Sequence, residues 1–170
     1  MASVNRIIDA AEDVIRRTMS RDPFEICREL DIKIRYHELG SIKAYYFCQS
    51  RIKNIVINSS ADENIKKVLC AHELGHAILH DEIVRDGAFH EITLFDATTP
   101  TEYEANLFAA ELLISDEDIL DRKNDSIFHI ASTLRVPKEL VDFKCRIMKA
   151  RGHDIHVPEL SDSRFLKDDI

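Results

Sequence analysis

Apolar residues recur at helical spacing along much of the chain. Near the N-terminus, Ile7, Ile8, Ala11, Val14 and Ile15 repeat with a period close to 3.6, which predicts an amphipathic helix. Similar spacing, together with helix-start residues such as the Asp22-Pro23 and Thr99-Pro100 pairs, predicts further helices. These run from Pro23 to about Leu30, from Ala61 to His80, from Pro100 to Ile114, briefly after Ser115, from Ser126 to Leu134 and from Pro137 to Arg151.

Strand patterns fill the region between the second and third predicted helices. Ile32, Ile34 and Tyr36 alternate with polar residues, and two further apolar runs occupy 44–48 and 52–58. We interpret them as three short antiparallel strands in a meander. The stretch Asp81–Thr98 has no clear period and predicts a long loop. Helices packed against a small sheet place the chain in the α+β class.

Composition narrows the functional classes. The 170 residues include 23 basic and 31 acidic side chains, giving a net charge of −8. This balance disfavours direct nucleic-acid binding, because neutralising phosphates requires basic groups. No apolar run approaches the ~18 residues of a membrane span, and we find no secretory signal pattern. We therefore expect no membrane partner, and a cytoplasmic protein whose four cysteines are reduced.

One segment of a predicted helix carries recognisable chemistry: His72-Glu73-Leu74-Gly75-His76, an H-E-x-x-H pattern. Residues i and i+4 of a helix lie about 40° apart and about 6 Å along its axis, so the two imidazoles can bind one tetrahedral ion. From its position beside His72, Glu73 can reach a water on such an ion and act as a general base. The alternative is a solvated helix face. Gly75 costs about 0.5–1 kcal/mol relative to Ala in a helix, which favours a site that needs room.

A catalytic zinc site usually takes three protein ligands, and four residues are candidates for the third: His80, His90, Glu102 and Glu104. His80 lies eight residues after His72, about 12 Å along a straight helix, which is too far to share an ion. His90 falls in the predicted loop, where nothing fixes its direction. The choice then rests between the two glutamates.

Helical geometry favours Glu102 over Glu104. Glu102 lies about 60° from the centre of the apolar stripe of its predicted helix, whereas Glu104 lies about 100° away. Asn106, four residues further on, is placed to orient Glu102. However, the run from Thr99 to Glu102 also fits a capping box, in which the glutamate bonds back to the cap residue. Periodicity leaves both roles of Glu102 open.

Two motifs in order resemble one known family. The H-E-L-G-H segment with the following Leu79-His80, and the downstream run E-Y-E-A-N-L-F-A-A-E-L-L-I from Glu102 to Ile114, resemble the ImmA/IrrE family of zinc metallopeptidases. The strand residues 54–58, which lead into the motif helix, are also similar. The resemblance covers about 35–115. It departs from the family after Ile114, where Ser115 stands in place of the usual proline.

The resemblance implies the roles of the motif residues. His72, His76 and Glu102 would bind one Zn²⁺ with a water in the fourth position, and Glu73 would be the catalytic glutamate. It further implies a zincin-like core. Because no linker divides the chain and Gly152 closes the last predicted helix, we expect a single metallopeptidase domain over 1–152, with a core of about 31–115 and a helical part of about 116–152. The polar, acidic residues 153–170 would form a tail.

The same resemblance implies a cytoplasmic endopeptidase that cleaves a helix-turn-helix repressor of a mobile element or stress regulon. Two alternatives stay open. One is a zinc-containing module that docks to a transcription regulator without cutting it. The other is a toxin-like partner of a repressor-type antitoxin.

The segment 125–152 resembles a helix-turn-helix in outline. It predicts either the basic, solvated face of a supporting helix or a docking surface for DNA or a DNA-binding partner. From 135 to 151 the local charge balance is +4, with Arg135, Lys138, Lys144, Arg146, Lys149 and Arg151 against Glu139 and Asp142.

Overall fold

A computed structural model of the chain describes residues 2–80 and 99–155. Within them, seven helices and three strands follow one another: α1 Ala2–Thr18, α2 Pro23–Glu29, β1 Lys33–His37, β2 Ala44–Gln49, β3 Ile52–Asn58, α3 Glu63–Leu79, α4 Pro100–Leu113, α5 Asp116–Leu120, α6 Ile127–Leu134 and α7 Lys138–Ala150. The mostly helical α+β class is confirmed. The predicted loop 81–98 and most of the predicted tail, residues 156–170, lie outside the described residues.

The three strands form a mixed sheet, so the predicted antiparallel meander is wrong. The strand order is β1-β3-β2, with β1 parallel and β2 antiparallel to β3. The reason lies in β3, where Ile55, Val56 and Ile57 are buried in succession and therefore cover both faces of the sheet. A continuous apolar run is typical of a central strand, whereas a meander would place β3 at an edge.

Local side-chain bonds set where the two site-bearing helices begin. The Asp62 carboxylate accepts hydrogen bonds from the backbone N–H groups of Asn64 and Ile65 at the start of α3. Thr99 Oγ1 accepts from the backbone N–H of Glu102 at the start of α4, with Pro100 as the first helical residue. Such caps satisfy backbone donors that have no partner inside the helix.

Helix α3 lies at the centre of the molecule. Every residue from Val68 to Ala77 is buried, because α4, the sheet and α2 pack around it. Tyr46 and Ile55 belong to the apolar sheet face that joins this core. A helix surrounded in this way has no solvated side, so the solvated-face interpretation of the H-E-x-x-H residues is wrong.

The four cysteines are free thiols, as expected. Cys27 and Cys70 are fully buried with their Sγ atoms 3.9 Å apart, and Cys145 is also in the core. Burial raises the pKa of the Cys145 thiol to about 11. Only Cys48 is half-buried.

One of the basic residues counted on the C-terminal segment, Lys144, is internal to the fold. Lys144 has no exposed surface, and its Nζ lies 2.8 Å from Glu111 Oε2 and 2.5 Å from Asp116 Oδ1. Arg151 pairs with Glu111 and Asp116 as well, and Arg146 pairs with Asp142. The interpretation of this segment as a uniformly solvated basic face is therefore wrong for Lys144, which holds α7 to α4.

Candidate metal centre

Two imidazoles project from successive turns of α3. The Nε2 atoms of His72 and His76 lie 3.1 Å apart, and their rings meet edge to face with centroids 4.9 Å apart. Both side chains are buried. Two ring nitrogens at this separation could both bind one ion if each gave it a lone pair.

Glu102 reaches the same point from α4. Its Oε2 lies 3.1 Å from His72 Nε2, and its Oε1 lies 3.4 Å from His76 Nε2. The residue keeps its N-terminal place in the helix, since its backbone N–H still bonds Thr99 Oγ1. The two roles that periodicity left open are thus divided: the backbone of Glu102 takes part in capping, while its carboxylate faces the histidines.

These three side chains have the chemistry of a metal site. One ligand atom from each lies within 4.8 Å of the others, the single such group found in residues 2–80 and 99–155. Burial lowers the pKa of His76 to about 4, against the opposing effect of the Glu102 carboxylate, so this imidazole is neutral. Burial alone raises the pKa of Glu102, but hydrogen bonds from His72 and His76 lower it well below its usual value. Two imidazoles and one carboxylate are a donor set that suits zinc and related divalent ions.

Glu73 lies beside this group as a fully buried acid. Within the described residues, neither of its carboxyl oxygens has a partner in hydrogen-bonding geometry. Burial raises its pKa well above the usual range, the negative charge of Glu102 raises it further, and the backbone amide of Tyr46 on β2 opposes the shift. A buried carboxylate without good partners costs free energy, which is typical of a group kept for function.

A comparison with protein families matches the peptidase M78 model, described as an IrrE N-terminal-like domain, to residues 27–146. This match covers more than half of the chain and includes the whole site. The chain belongs to the M78 peptidase family. The resemblance noted in the sequence is therefore confirmed at the level of the family.

Two curated relatives of this M78 chain come from bacilli and a bacillus phage. The chain is 34% identical over 141 residues to the "Uncharacterized immunity region protein 2" of Bacillus phage phi105, covering 79% of the chain and 86% of the relative. It is 24% identical over 155 residues to the "Metallopeptidase ImmA" of Bacillus subtilis (strain 168), covering 88% and 90%.

In this M78 domain, further side chains contact the Nδ1 atoms of His72 and His76, the ring nitrogens that do not face Glu102. His72 Nδ1 lies 2.9 Å from Asn106 Oδ1, so Asn106 supports a histidine, and its expected role in orienting Glu102 stays a prediction. His76 Nδ1 lies 3.1 Å from Nδ1 of His80. His80 Nε2 lies 3.0 Å from Glu104 Oε2.

His80 and Glu104, which the sequence offered only as candidates for the third ligand, instead contact His76 and each other. His80 and Glu104 form a layer behind His76, on the side away from the shared point of the three ligand atoms. The signal for His80 was present in the sequence, since it follows His76 by the same four residues that separate His76 from His72. His90, the remaining candidate, lies outside the described residues.

A groove of about 340 Å³ lies on the opposite face of the sheet from α3. It is lined by Arg35, Tyr45, Phe47 and neighbours, and none of its lining residues is a candidate metal ligand.

Across the described ranges, no helix has both the length and the apolar character needed to cross a bilayer.

Proposed function

We propose that this chain is a zinc-dependent endopeptidase in which His72, His76 and Glu102 hold the ion and Glu73 is the catalytic base. The observation that carries the proposal is the convergence of three buried ligand atoms from two helices beside a buried carboxylate without completed hydrogen bonds. Membership of a peptidase family supports the same conclusion.

Each residue of the proposed site has its own role in peptide-bond hydrolysis. A divalent ion held there supplies Lewis-acid polarisation of a peptide carbonyl and makes a water more acidic. Glu73 accepts the proton of the attacking water on its carboxylate and passes it to the amine nitrogen that leaves. Glu102 and the two imidazoles would hold the ion, and the buried surroundings of these side chains limit access of bulk water.

The substrate that we propose is a helix-turn-helix repressor in the cytoplasm. One relative is named as a phage immunity region protein and the other as a metallopeptidase called ImmA. These names support a role in the control of immunity, which a repressor commonly exerts. We propose that residues 1–152 form the metallopeptidase domain and that 153–170 form a tail.

The deciding experiment compares Glu73→Gln with Glu63→Gln. Both sit on α3 and undergo the same chemical change, but Glu63 is exposed near the start of the helix. The full-length proteins are incubated with zinc and a repressor encoded beside the gene, and fragments are identified by mass spectrometry. We expect normal zinc content in both variants, cleavage by wild type and Glu63→Gln, and none by Glu73→Gln.

The outcomes separate the competing functions. Cleavage by Glu73→Gln would remove Glu73 from the mechanism. A repressor that is displaced from its operator by wild type and by Glu73→Gln, yet stays intact, would establish a docking module instead. Absence of zinc from the wild-type protein would contradict the metal assignment itself.

A further inference from the structure

His80 ends helix α3 directly behind His76. Its side chain is almost fully buried, and its backbone N–H bonds the carbonyl oxygen of His76, so the two side chains leave the helix one turn apart. The two Nδ1 atoms lie 3.1 Å apart. At that distance one nitrogen must carry the proton and the other must accept it, because two lone pairs or two N–H groups would repel.

The direction of this hydrogen bond follows if His76 binds a metal, so the inference rests on the proposed function. A ligating imidazole gives the lone pair of Nε2 to the ion and keeps its proton on Nδ1. His76 Nδ1–H is then the donor and His80 Nδ1 is the acceptor. The proton of neutral His80 must therefore reside on Nε2.

The next contact agrees with that tautomer. His80 Nε2 lies 3.0 Å from Glu104 Oε2, an atom that can only accept from an N–H group when the acid is ionised. Arg6 Nη2 on α1 lies 2.6 Å from the same oxygen. Donors thus reach Glu104 from both sides, and one consistent set of proton positions satisfies every link from the ligand to α1.

We propose that His80 and Glu104 are positioning residues that fix the ring orientation and tautomer of His76 for metal binding. The chain His76→His80→Glu104 does for His76 what the single Asn106 amide oxygen does for His72. Partners of this kind set both the orientation and the basicity of a ligating imidazole. Arg6 is half-exposed, so its contribution is small compared with that of the buried pair.

Two substitutions of His80 separate its two bonds. His80→Asn places an amide oxygen close to the position of Nδ1 and keeps an acceptor for His76, while it loses the contact with Glu104. His80→Gln places its amide near the position of Nε2 and keeps the contact with Glu104, while it loses the acceptor. Both variants carry a neutral amide, so they are matched in polarity and differ in reach.

The zinc dissociation constant of each full-length variant is measured by competition with a chromophoric chelator, and the visible spectrum of the Co²⁺ form reports ligand geometry. We expect His80→Gln to weaken zinc binding about 10–100-fold and to alter the Co²⁺ bands. His80→Asn should stay nearer to wild type in both respects. Glu104→Met, a half-buried position outside α3, should show a smaller loss and serves as the second variant if His80→Gln does not fold.

Equal zinc affinity and unchanged Co²⁺ bands in His80→Gln and Glu104→Met would overturn the inference. Equal losses in His80→Asn and His80→Gln would also overturn it, since they would indicate a packing effect. Failure of the wild-type protein to bind zinc or Co²⁺ would instead reject the proposed function, so the two failures are distinguishable.

Discussion

Gly75 lies directly against the backbone of Ala105. A methyl group on Gly75 would come within 3.2 Å of the Ala105 Cα atom and 3.3 Å of its carbonyl oxygen. The glycine therefore lets α3 and α4 approach closely at the level of the site. Glu102 lies one turn before Ala105, so the same contact sets how near its carboxylate comes to the histidines.

Replacing Gly75 with alanine tests this relationship. Overpacking typically costs about 1–3 kcal/mol, which exceeds the ~0.5–1 kcal/mol that alanine gains in a helix. We expect Gly75→Ala to push α4 away, to lower the free energy of unfolding and to weaken zinc binding. Urea unfolding and chelator competition measure the two effects. The control is Lys67→Ala at an exposed position of α3; zinc affinity in Gly75→Ala as high as in that control would show that the close approach does not matter.

Asn106 offers a second test, on the other histidine. His72 donates from Nδ1 to Asn106 Oδ1 when its Nε2 is used for the ion. Asn106→Leu removes the acceptor and should weaken zinc binding about 10–100-fold, whereas Asn106→Asp keeps an acceptor and should bind zinc more tightly than the leucine variant. Chelator competition measures both constants. Equal affinities in the two variants would argue against this hydrogen bond.

Lys144 is expected to be important for stability and not for catalysis. It is fully buried between Glu111 and Asp116, and breaking a buried ion pair by removing one partner costs about 3–5 kcal/mol. Lys144→Met should lower the free energy of unfolding in urea by a loss of that order. Arg146→Met, which breaks the exposed pair with Asp142 on the same helix, should cost at most ~1 kcal/mol. Similar losses in the two variants would contradict the assignment.

The same cluster predicts a dependence of stability on acid. Burial by itself raises the pKa of Asp116, but the hydrogen bond and charge of Lys144 and the charge of Arg151 outweigh it and leave the pKa below its usual value. A carboxyl group with a depressed folded-state pKa stabilises the fold fully above its unfolded pKa and loses that contribution as the pH falls through the folded value. The difference in unfolding free energy between wild type and Asp116→Asn should therefore be constant near neutral pH.

That difference should shrink as the pH falls below about 4, because the carboxyl group of the unfolded wild-type chain then binds a proton while the folded, ion-paired carboxylate does so only at lower pH. Denaturant titrations at a series of pH values provide the measurement, with Asp121→Asn at an exposed position as the control. A difference that stays constant down to pH 2, or grows, would mean that Asp116 does not contribute through its charge.

Several features of the site could be read directly from the sequence. The spacing of His72 and His76 and the neighbouring Glu73 depend only on helical periodicity, which a local stretch of residues determines. The start of α4 at Thr99-Pro100 is similarly local, since a cap and a proline act within one turn. The family resemblance also came from contiguous motifs.

Other features of the site could be established only from the tertiary structure. The sequence ranked Glu102 first among the third ligands, but only the contact of α4 with α3 directs its carboxylate to the histidines instead of back to its own cap. The placement of His80 and Glu104 behind His76 depends on the same contact. The order of the strands depends on pairing between distant residues, and the prediction failed there because it assumed that successive strands are neighbours.

The sequence by itself determined the elements, the two imidazoles and the adjacent acid, because hydrogen bonding and side-chain direction within one helix repeat every few residues. The tertiary structure alone decided that α3 is buried on every side from Val68 to Ala77, that Lys144 lies inside the protein, and that residues thirty positions apart share one point in space. These outcomes depend on which apolar surfaces pack against one another. The free energy gained by removing those surfaces from water is a property of the whole fold and of no single segment.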